Sequence, residues 1–245
     1  QGDKFLVEGS HMKKSLMGLG CPEDKITVQH LGIDLDGIKF VPRELGKDEE
    51  IRILIAGSFR EKKGIPYAVE AFGQVREKHK NLKLAIIGDS GGAPREEEEK
   101  QKILATIDKY HLKHCIRMLG YQPHHVFLEE LYKHHIFLSP SVTASDGDTE
   151  GGAPVSIIEA SASGAPILST THCDIPEVVI DGKSGYLVPE RDVDALTDRL
   201  EFLVSNPKIW EEMGKVGREH IEKNYDIIKQ VQRLEKIYDE VGKRT

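Results

Sequence analysis

The sequence predicts an α/β protein with a doubly wound, Rossmann-like parallel sheet of about six strands and helices on both faces. Short apolar, β-branched runs such as Ile51–Ala56 and Leu82–Ile87 end at glycine or polar residues. Between them lie amphipathic segments such as 66–78, whose apolar residues recur at helical spacing. Wholly apolar strands that alternate with such helices are typical of a parallel sheet covered on both sides.

The elements follow one another in a regular order. Residues 4–8 and 25–30 predict strands on either side of a helix over 10–19, and a polar stretch over 43–50 then reads as a linker. Beyond it, strands are predicted at 51–56, 82–87, 116–119, 136–138, 166–169 and 185–188, and helices at 66–78, 94–110, 124–133, 154–163, 175–180, 192–204, 207–222 and 226–242.

Composition excludes several classes of protein. Among 245 residues, 38% are hydrophobic and 31% charged, which is the balance of a globular protein with an ample core. A net charge of −7 gives no general attraction to nucleic acid. Cys21, Cys115 and Cys173 are far apart, which predicts neither disulfides nor a zinc site and suits a reducing, cytoplasmic compartment. No apolar run approaches the ~18 residues of a membrane helix.

The loops that follow strands hold the candidate ligand-binding residues, because ligands of such sheets bind at the carboxyl ends of the strands. The loop after 51–56 carries Arg60 and Lys63, which predict a clamp on a diphosphate, with Lys63 as a point charge and Arg60 as a fork. The alternative is a solvated surface turn. The loop lacks both the G-x-G-x-x-G and the G-x-x-x-x-G-K-[ST] patterns, so neither a dinucleotide fingerprint nor a P-loop is predicted.

A second candidate is the stretch from Thr149 to Glu159. Gly151 and Gly152 allow a close backbone approach, and Pro154 suits the first position of the helix that follows. A helix N-terminus attracts phosphate through its free N–H groups. With Glu150 before the turn and Glu159 after it, the stretch predicts an anion cradle flanked by two acceptors for hydroxyls, which suits a nucleotide sugar.

These motifs, taken in order, resemble one known family. The series is G-S-F-R-E-K-K-G at 57–64, I-I-G-D at 86–89, L-G-Y at 119–121, E-G-G at 150–152, E-A at 159–160, G-A-P-I at 164–167, I-P-E at 175–177 and G-Y-L-V at 185–188. It resembles the nucleotide-binding C-terminal half of retaining glycosyltransferases of the GT-B fold, family 4. It is especially similar to the exopolysaccharide and colanic-acid type.

The resemblance implies a role for each candidate residue. Glu150 would lie near the donor sugar, Glu159 would accept hydrogen bonds from the ribose, and Lys63, assisted by Arg60, would neutralise the leaving diphosphate. The remaining residues expected to bind the donor are Gly57, Ser58, Tyr121, Gly151, Gly152, Ala153, Pro154, Val155 and His172. The donor would be a UDP- or GDP-linked sugar, and no metal or other cofactor would be required.

Two departures from the family pattern bear on these roles. The family spacing is E-x7-E, whereas eight residues separate Glu150 from Glu159, so Glu150 is expected to be displaced relative to the helix. The family often has arginine where this chain has Ser58, so either Arg60 substitutes for it from two residues along or one cation of the site is missing.

The resemblance also implies a division of the chain. Residues 1–45 would be the last strand–helix–strand unit of an N-terminal domain plus a linker, and residues 46–245 the nucleotide-sugar domain. A saccharide or lipid-linked acceptor would bind through that N-terminal domain, so this chain is expected to bind donor but to transfer sugar poorly. Further expectations are self-association through an exposed domain-closing face and a peripheral location at the inner membrane face.

Three other interpretations remain open at this stage. Asp146 and Asp148 form a D-x-D pair that could hold a divalent cation, or they belong to an acidic loop. Cys173 beside His172 could be a nucleophile pair, or His172 could contact the sugar or a phosphate. Finally, the whole chain could be a noncatalytic nucleotide- or protein-binding module.

Overall fold

A computed structural model describes residues 2–242 and confirms the α/β architecture. The regular elements are β1 (Phe5–Val7), α1 (Ser10–Gly18), β2 (Ile26–Val28), β3 (Ile51–Ala56), α2 (Ile65–Lys78), β4 (Leu82–Ile87), α3 (Pro94–Lys109), β5 (Ile116–Gly120), α4 (His124–Lys133), β6 (Ile136–Ser139), α5 (Val155–Ala162), β7 (Ile167–Thr170), α6 (Ile175–Val178), β8 (Gly185–Val188), α7 (Val193–Ser205), α8 (Trp210–Asn224) and α9 (Ile227–Gly242). Short 3₁₀ turns lie at Glu23–Lys25, Glu61–Lys63 and Pro207–Ile209.

The main sheet is parallel and doubly wound. Within residues 2–242 it contains six strands in the order β5-β4-β3-β6-β7-β8. The chain runs outward from β3 to β5 and then returns to place β6 beside β3, where Ile53 pairs with Ile136. The strand order therefore reverses between β3 and β6, and the loops that follow these two strands flank the crevice in which such sheets bind ligands.

The strands are apolar on both sides because both faces of the sheet are covered. In β3, Ile53 and Ile55 point into one buried cluster with α2 and α7, whereas Leu54 points into the other cluster with α4 and α5. Successive side chains of a strand face opposite sides, so a doubly covered strand has no polar face. This is the physical reason for the continuous apolar runs in the sequence.

The N-terminal unit forms a separate, smaller sheet. β1 and β2 pair in parallel, with Phe5 opposite Ile26. Helix α1 buries none of its residues, but its first amides are held by carboxylates near α6: Ser10 N–H donates to Glu177 Oε1 (2.8 Å) and His11 N–H to Asp174 Oδ1 (2.6 Å). Negatively charged side chains at a helix N-terminus accept hydrogen bonds from its free N–H groups and interact favourably with the helix dipole.

The segment between this unit and β3 packs against the main sheet. Ile33 and Ile38 are buried in the core cluster around α5. The Arg43 guanidinium is buried and donates hydrogen bonds to the carbonyls of Leu131 and His134, and burial lowers its pKa to about 10. The predicted domain boundary at residue 45 stays a prediction, but Arg43 anchors the chain immediately before it.

His135 makes the stability of the fold depend on pH. Its ring stacks on Trp210 at 5.3 Å between centroids, and its Nδ1 accepts the N–H of Arg52 at 3.0 Å. Burial lowers the pKa of His135 to about 4. Because the folded pKa lies below the unfolded value of about 6.5, this histidine contributes stability above that value that is lost as the pH falls toward 4.

We therefore expect His135→Asn, whose amide oxygen reaches the place of Nδ1 and so retains an acceptor for the Arg52 N–H, to weaken the acid sensitivity. Between pH 7 and 4.5, the fall in the free energy of unfolding should be smaller than in the wild type by about 2 kcal/mol. Urea unfolding at both pH values measures the change, and substitution of the exposed His125 by Asn serves as the control. Equal pH dependence of His135→Asn and wild type would contradict the assignment.

Candidate functional site

A cleft of about 480 Å³ lies at the carboxyl edge of the sheet, at the topological switch point where the strand order reverses between β3 and β6. The loop after β3 contributes Gly57, Ser58 and Lys63, and the start of α5 contributes Pro154, Val155 and Glu159. These six residues were all predicted to bind the donor or its diphosphate, and the fold brings them into one cleft. Gln122 and His124 complete the wall beside the start of α4.

The N-terminus of α5 opens into this cleft. Gly151 has a φ of +76°, a backbone conformation that glycine adopts readily, and the chain then turns into the helix. Pro154 was predicted at the first helical position, but this is wrong by one residue. With ψ at 132° it is the N-cap, and its carbonyl accepts the N–H of Ile157 (3.0 Å). Within the described residues no side chain caps α5, so its first amides remain suited to an anion.

Lys63 and Glu150 form an ion pair between the loop after β3 and the loop after β6. Lys63 Nζ lies 2.9 Å from Glu150 Oε2, and Ser141 Oγ donates to Glu150 Oε1 at 2.8 Å. The Glu150 side chain is only 6% exposed, and that of Lys63 is 20% exposed. Glu150 is therefore bound to the cation that was predicted to hold the diphosphate.

Glu159 faces the cleft and contacts a residue that the sequence did not suggest for this site. Its Oε1 lies 2.7 Å from Nε2 of His124, whose side chain is 62% exposed. His124 is the first residue of α4, directly after a loop at the ligand edge. That position was the available signal, but a single histidine at a helix start did not indicate a partner 35 positions away.

Arg60 does not join Lys63 in the cleft. Its guanidinium pairs with Asp148 Oδ2 at 2.6 Å and lines a separate groove of about 380 Å³. In this geometry, Arg60 is not placed to bind the diphosphate through two N–H donors, as was expected. The cause is electrostatic: the Asp148 carboxylate on the facing loop attracts the guanidinium, and Lys62 Nζ contacts the same carboxylate at 3.2 Å.

The D-x-D pair is occupied by cationic side chains. Asp148 binds Arg60 and Lys62, and Asp146 binds Arg95. Across residues 2–242, no cluster of three or more histidine, cysteine or carboxylate side chains is arranged to hold a metal ion. The acidic-loop interpretation of Asp146 and Asp148 agrees with these contacts.

Tyr121 and His172 lie differently from the expected donor contacts. The Tyr121 side chain is 59% exposed, and its neighbour Gln122 lines the cleft instead. His172 is 1% exposed, with Nδ1 at 2.6 Å from Glu190 Oε1 and Nε2 at 3.1 Å from the main-chain N of Glu150. Both ring nitrogens are thus engaged below the surface, which leaves neither of them free for the predicted contact of His172 with a sugar or phosphate.

Cys173 does not have the properties of a nucleophile. Its Sγ lies 3.1 Å from His172 Nε2, but that nitrogen already faces the N–H of Glu150. Burial raises the pKa of the Cys173 thiol, which disfavours the thiolate needed for attack. The Cys–His alternative is therefore not supported.

We expect alkylation of Cys173 by iodoacetamide to be slower at pH 7.5 than alkylation of a small model thiol, with a rate profile displaced to higher pH. The reason is the raised pKa, because the thiolate is the reacting species. Mass spectrometry of the labelled peptides gives the rate, and Cys173→Ser identifies the peptide. Rapid labelling with a profile displaced to lower pH would revive the nucleophile interpretation.

Comparison with known proteins agrees with this geometry. The family model described as "Glycosyl transferases group 1" matches residues 38–220. The chain belongs to the group 1 glycosyltransferases. The motif series quoted above had suggested this family, and the order of the strands fits its fold.

Individual group 1 relatives are similar over about half of their own length. WcaL of Escherichia coli (strain K12), named as a colanic acid biosynthesis glycosyltransferase, is 37% identical over 82% of this chain and 47% of its own length. AmsK of Erwinia amylovora, named as an amylovoran biosynthesis glycosyltransferase, is 34% identical over 80% of this chain and 46% of its own.

The fold has counterparts among solved structures. Anabaena HepE, crystallised with UDP and glucose, superposes with a TM-score of 0.84 at 15% identity, covering 98% of this chain and 64% of HepE. At this identity the comparison concerns the fold alone. Among residues 2–242, no helix has the length and apolar character needed to span a membrane.

Proposed function

We propose that the chain binds a nucleoside-diphosphate sugar in the cleft and supplies the donor half of a retaining glycosyltransferase. The observation that carries the proposal is the convergence of Lys63, the open N-terminus of α5 and Glu159 at the switch point of the sheet. A cation and a helix N-terminus suit two phosphates, and a carboxylate suits the hydroxyls of a ribose.

The position of each part of the donor follows from these groups. The phosphates bind between Lys63 and the first amides of α5. The ribose hydroxyls bind Glu159 and displace His124, whose exposed ring is free to move away. The base then reaches the loop at Gln122, beside the end of β5. HepE, which was crystallised with UDP and glucose on the same fold, supports this choice of ligand.

The chemistry required is stabilisation of charge on the leaving diphosphate. Lys63 and the helix N-terminus supply fixed positive potential where that charge develops. As the family resemblance implies, the departing phosphate would help to deprotonate the acceptor, with retention of configuration. Neither Glu150 nor Glu159 is proposed as a general acid or base, since Glu150 is engaged by Lys63 and Ser141, and Glu159 by His124.

The acceptor would be a saccharide or lipid-linked saccharide, bound through the part of the longer relatives that this chain does not match. The names of WcaL and AmsK, which refer to exopolysaccharides, support that class. We therefore propose that this chain alone binds donor and transfers little, and that the reaction takes place on the cytoplasmic side, at the inner face of the membrane.

A noncatalytic binding module is the second candidate. It is favoured by Ser58 in place of arginine and by the diversion of Arg60 to Asp148, which leave Lys63 as the cation in the cleft wall. When this chain is joined to the part that its longer relatives have in addition, sugar transfer that is unaffected by Lys63→Ala indicates the noncatalytic module.

Isothermal titration calorimetry with UDP, GDP and their glucose and mannose conjugates tests donor binding. We expect one of the two nucleotide series to bind, and Lys63→Ala and Glu159→Ala to weaken binding by about tenfold or more, because each removes a charged contact. Lys215→Ala and Glu211→Ala, which break an exposed pair on α8, should bind as the wild type does. If neither the UDP series nor the GDP series binds, the proposal is ruled out.

Donor binding should also be independent of divalent metal. Because Arg60, Lys62 and Arg95 neutralise Asp146 and Asp148, the affinity for UDP or GDP in EDTA should stay within about twofold of that in Mg²⁺ or Mn²⁺. Titrations in each buffer, with Asp148→Asn as the companion variant, make the comparison. Loss of binding in EDTA would instead favour a metal-dependent site at the D-x-D pair.

A further inference from the structure

The buried His172 links three loops at the carboxyl edge of the sheet. Its Nε2 lies 3.1 Å from the main-chain N of Glu150, and its Nδ1 lies 2.6 Å from Glu190 Oε1. A main-chain N–H is always a donor, so Nε2 is the acceptor in that contact. The ring proton therefore sits on Nδ1 and is donated to Glu190.

Glu190 is held as an anion that orients the ring. Its Oε2 accepts the N–H of Thr143 at 2.7 Å, and Arg191 Nη1 approaches the same oxygen at 3.4 Å. Burial opposes ionisation, but the hydrogen bonds from Thr143 and His172 outweigh it and leave the pKa of Glu190 below its usual value. Glu190 thus contacts the loop after β6 near its start, while His172 contacts the same loop at Glu150.

Glu150 is fixed at three points as a result. His172 accepts its N–H, Ser141 donates to one carboxylate oxygen, and Lys63 donates to the other. The turn at Gly151 begins at the next residue. The direction of the Glu150 carboxylate, and with it the position of the Lys63 ammonium, therefore depends on the amide that His172 holds.

We propose that His172, with its ring oriented by Glu190, is a positioning residue for the donor diphosphate, acting through Glu150 and Lys63 without contacting the donor. This inference rests on the proposed function, since it concerns how Lys63 meets the diphosphate. Glu190, which no sequence motif indicated, then orients the His172 ring. His172 itself supports Glu150 from below the surface and does not line the cleft. A small displacement of a charged group that binds a ligand is enough to weaken binding.

Two substitutions of His172 separate positioning from general stability. The amide oxygen of glutamine reaches the place of Nε2, so His172→Gln retains an acceptor for the Glu150 N–H. The shorter amide of asparagine reaches only the place of Nδ1, so His172→Asn retains the link to Glu190 and leaves the Glu150 N–H without its acceptor. The same pair of substitutions at His79, whose ring lies 3.7 Å from Glu201 beyond the end of α2, is the matched control.

Calorimetry with UDP or GDP, whichever the wild type binds, gives the decisive comparison. We expect His172→Gln to stay within about threefold of the wild-type Kd, and His172→Asn to weaken binding by about tenfold. In a double-mutant cycle the loss caused by His172→Asn should largely vanish in a Lys63→Ala background, because both changes act through one group. The midpoints of thermal unfolding without ligand should not rank the two His172 variants in the same order as their Kd values. The His79 variants should bind the nucleotide as the wild type does.

The outcomes are distinguishable. Equal losses in His172→Gln and His172→Asn, or a His172→Asn loss that adds fully to Lys63→Ala, would overturn the positioning role while leaving donor binding intact. Failure of the wild type to bind either nucleotide would overturn the proposed function, and the positioning role with it.

Discussion

The ion pair between Lys63 and Glu150 joins the two loops between which the strand order reverses. Nearby backbone contacts hold the same junction: Val142 N–H donates to Lys62 O at 2.8 Å, and Gly64, with a φ of +62°, lies against the carbonyl of Pro140 so closely that a Cβ would approach its oxygen to 1.9 Å. Because the pair is largely buried, removing one partner would leave a poorly solvated charge. The shape of the cleft depends on this junction.

The pair also shapes how a diphosphate would be received. Lys63 is already neutralised, so a bound diphosphate must share or replace Glu150 as its partner. In either case the Glu150 carboxylate keeps the hydrogen bond from Ser141, and the Glu150 N–H keeps its hydrogen bond to His172. These two bonds limit the free-energy cost of the exchange. A site with a built-in carboxylate partner binds anions less tightly than a bare cation would, and it keeps the lysine in place when no donor is present.

The N-terminal unit is attached to the same edge of the sheet. Asp174 and Glu177, which accept the first amides of α1, follow directly after the loop that carries His172 and Cys173. Glu8 lies close to Gly152, at a distance where a Cβ on that glycine would meet its carboxylate. The turn at residues 150–153 is therefore bordered by the segment that the family resemblance assigns to an N-terminal domain.

The sequence by itself determined the sheet and the general place of the site. Strands at 51–56 and 82–87 and the helix at 124–133 were predicted with their observed bounds, because apolar periodicity is a local property. Lys63 was predicted from the rule that ligands bind at the carboxyl ends of strands, Glu159 from its place one turn into the helix after the Gly-Gly turn, and Gly57 from the family resemblance. Only the tertiary structure decided which charged partner each side chain takes. Arg60 meets Asp148 at 88 positions' separation, and His172 meets Glu190 and the Glu150 amide across two other loops, and such pairings depend on how distant loops pack rather than on any local pattern.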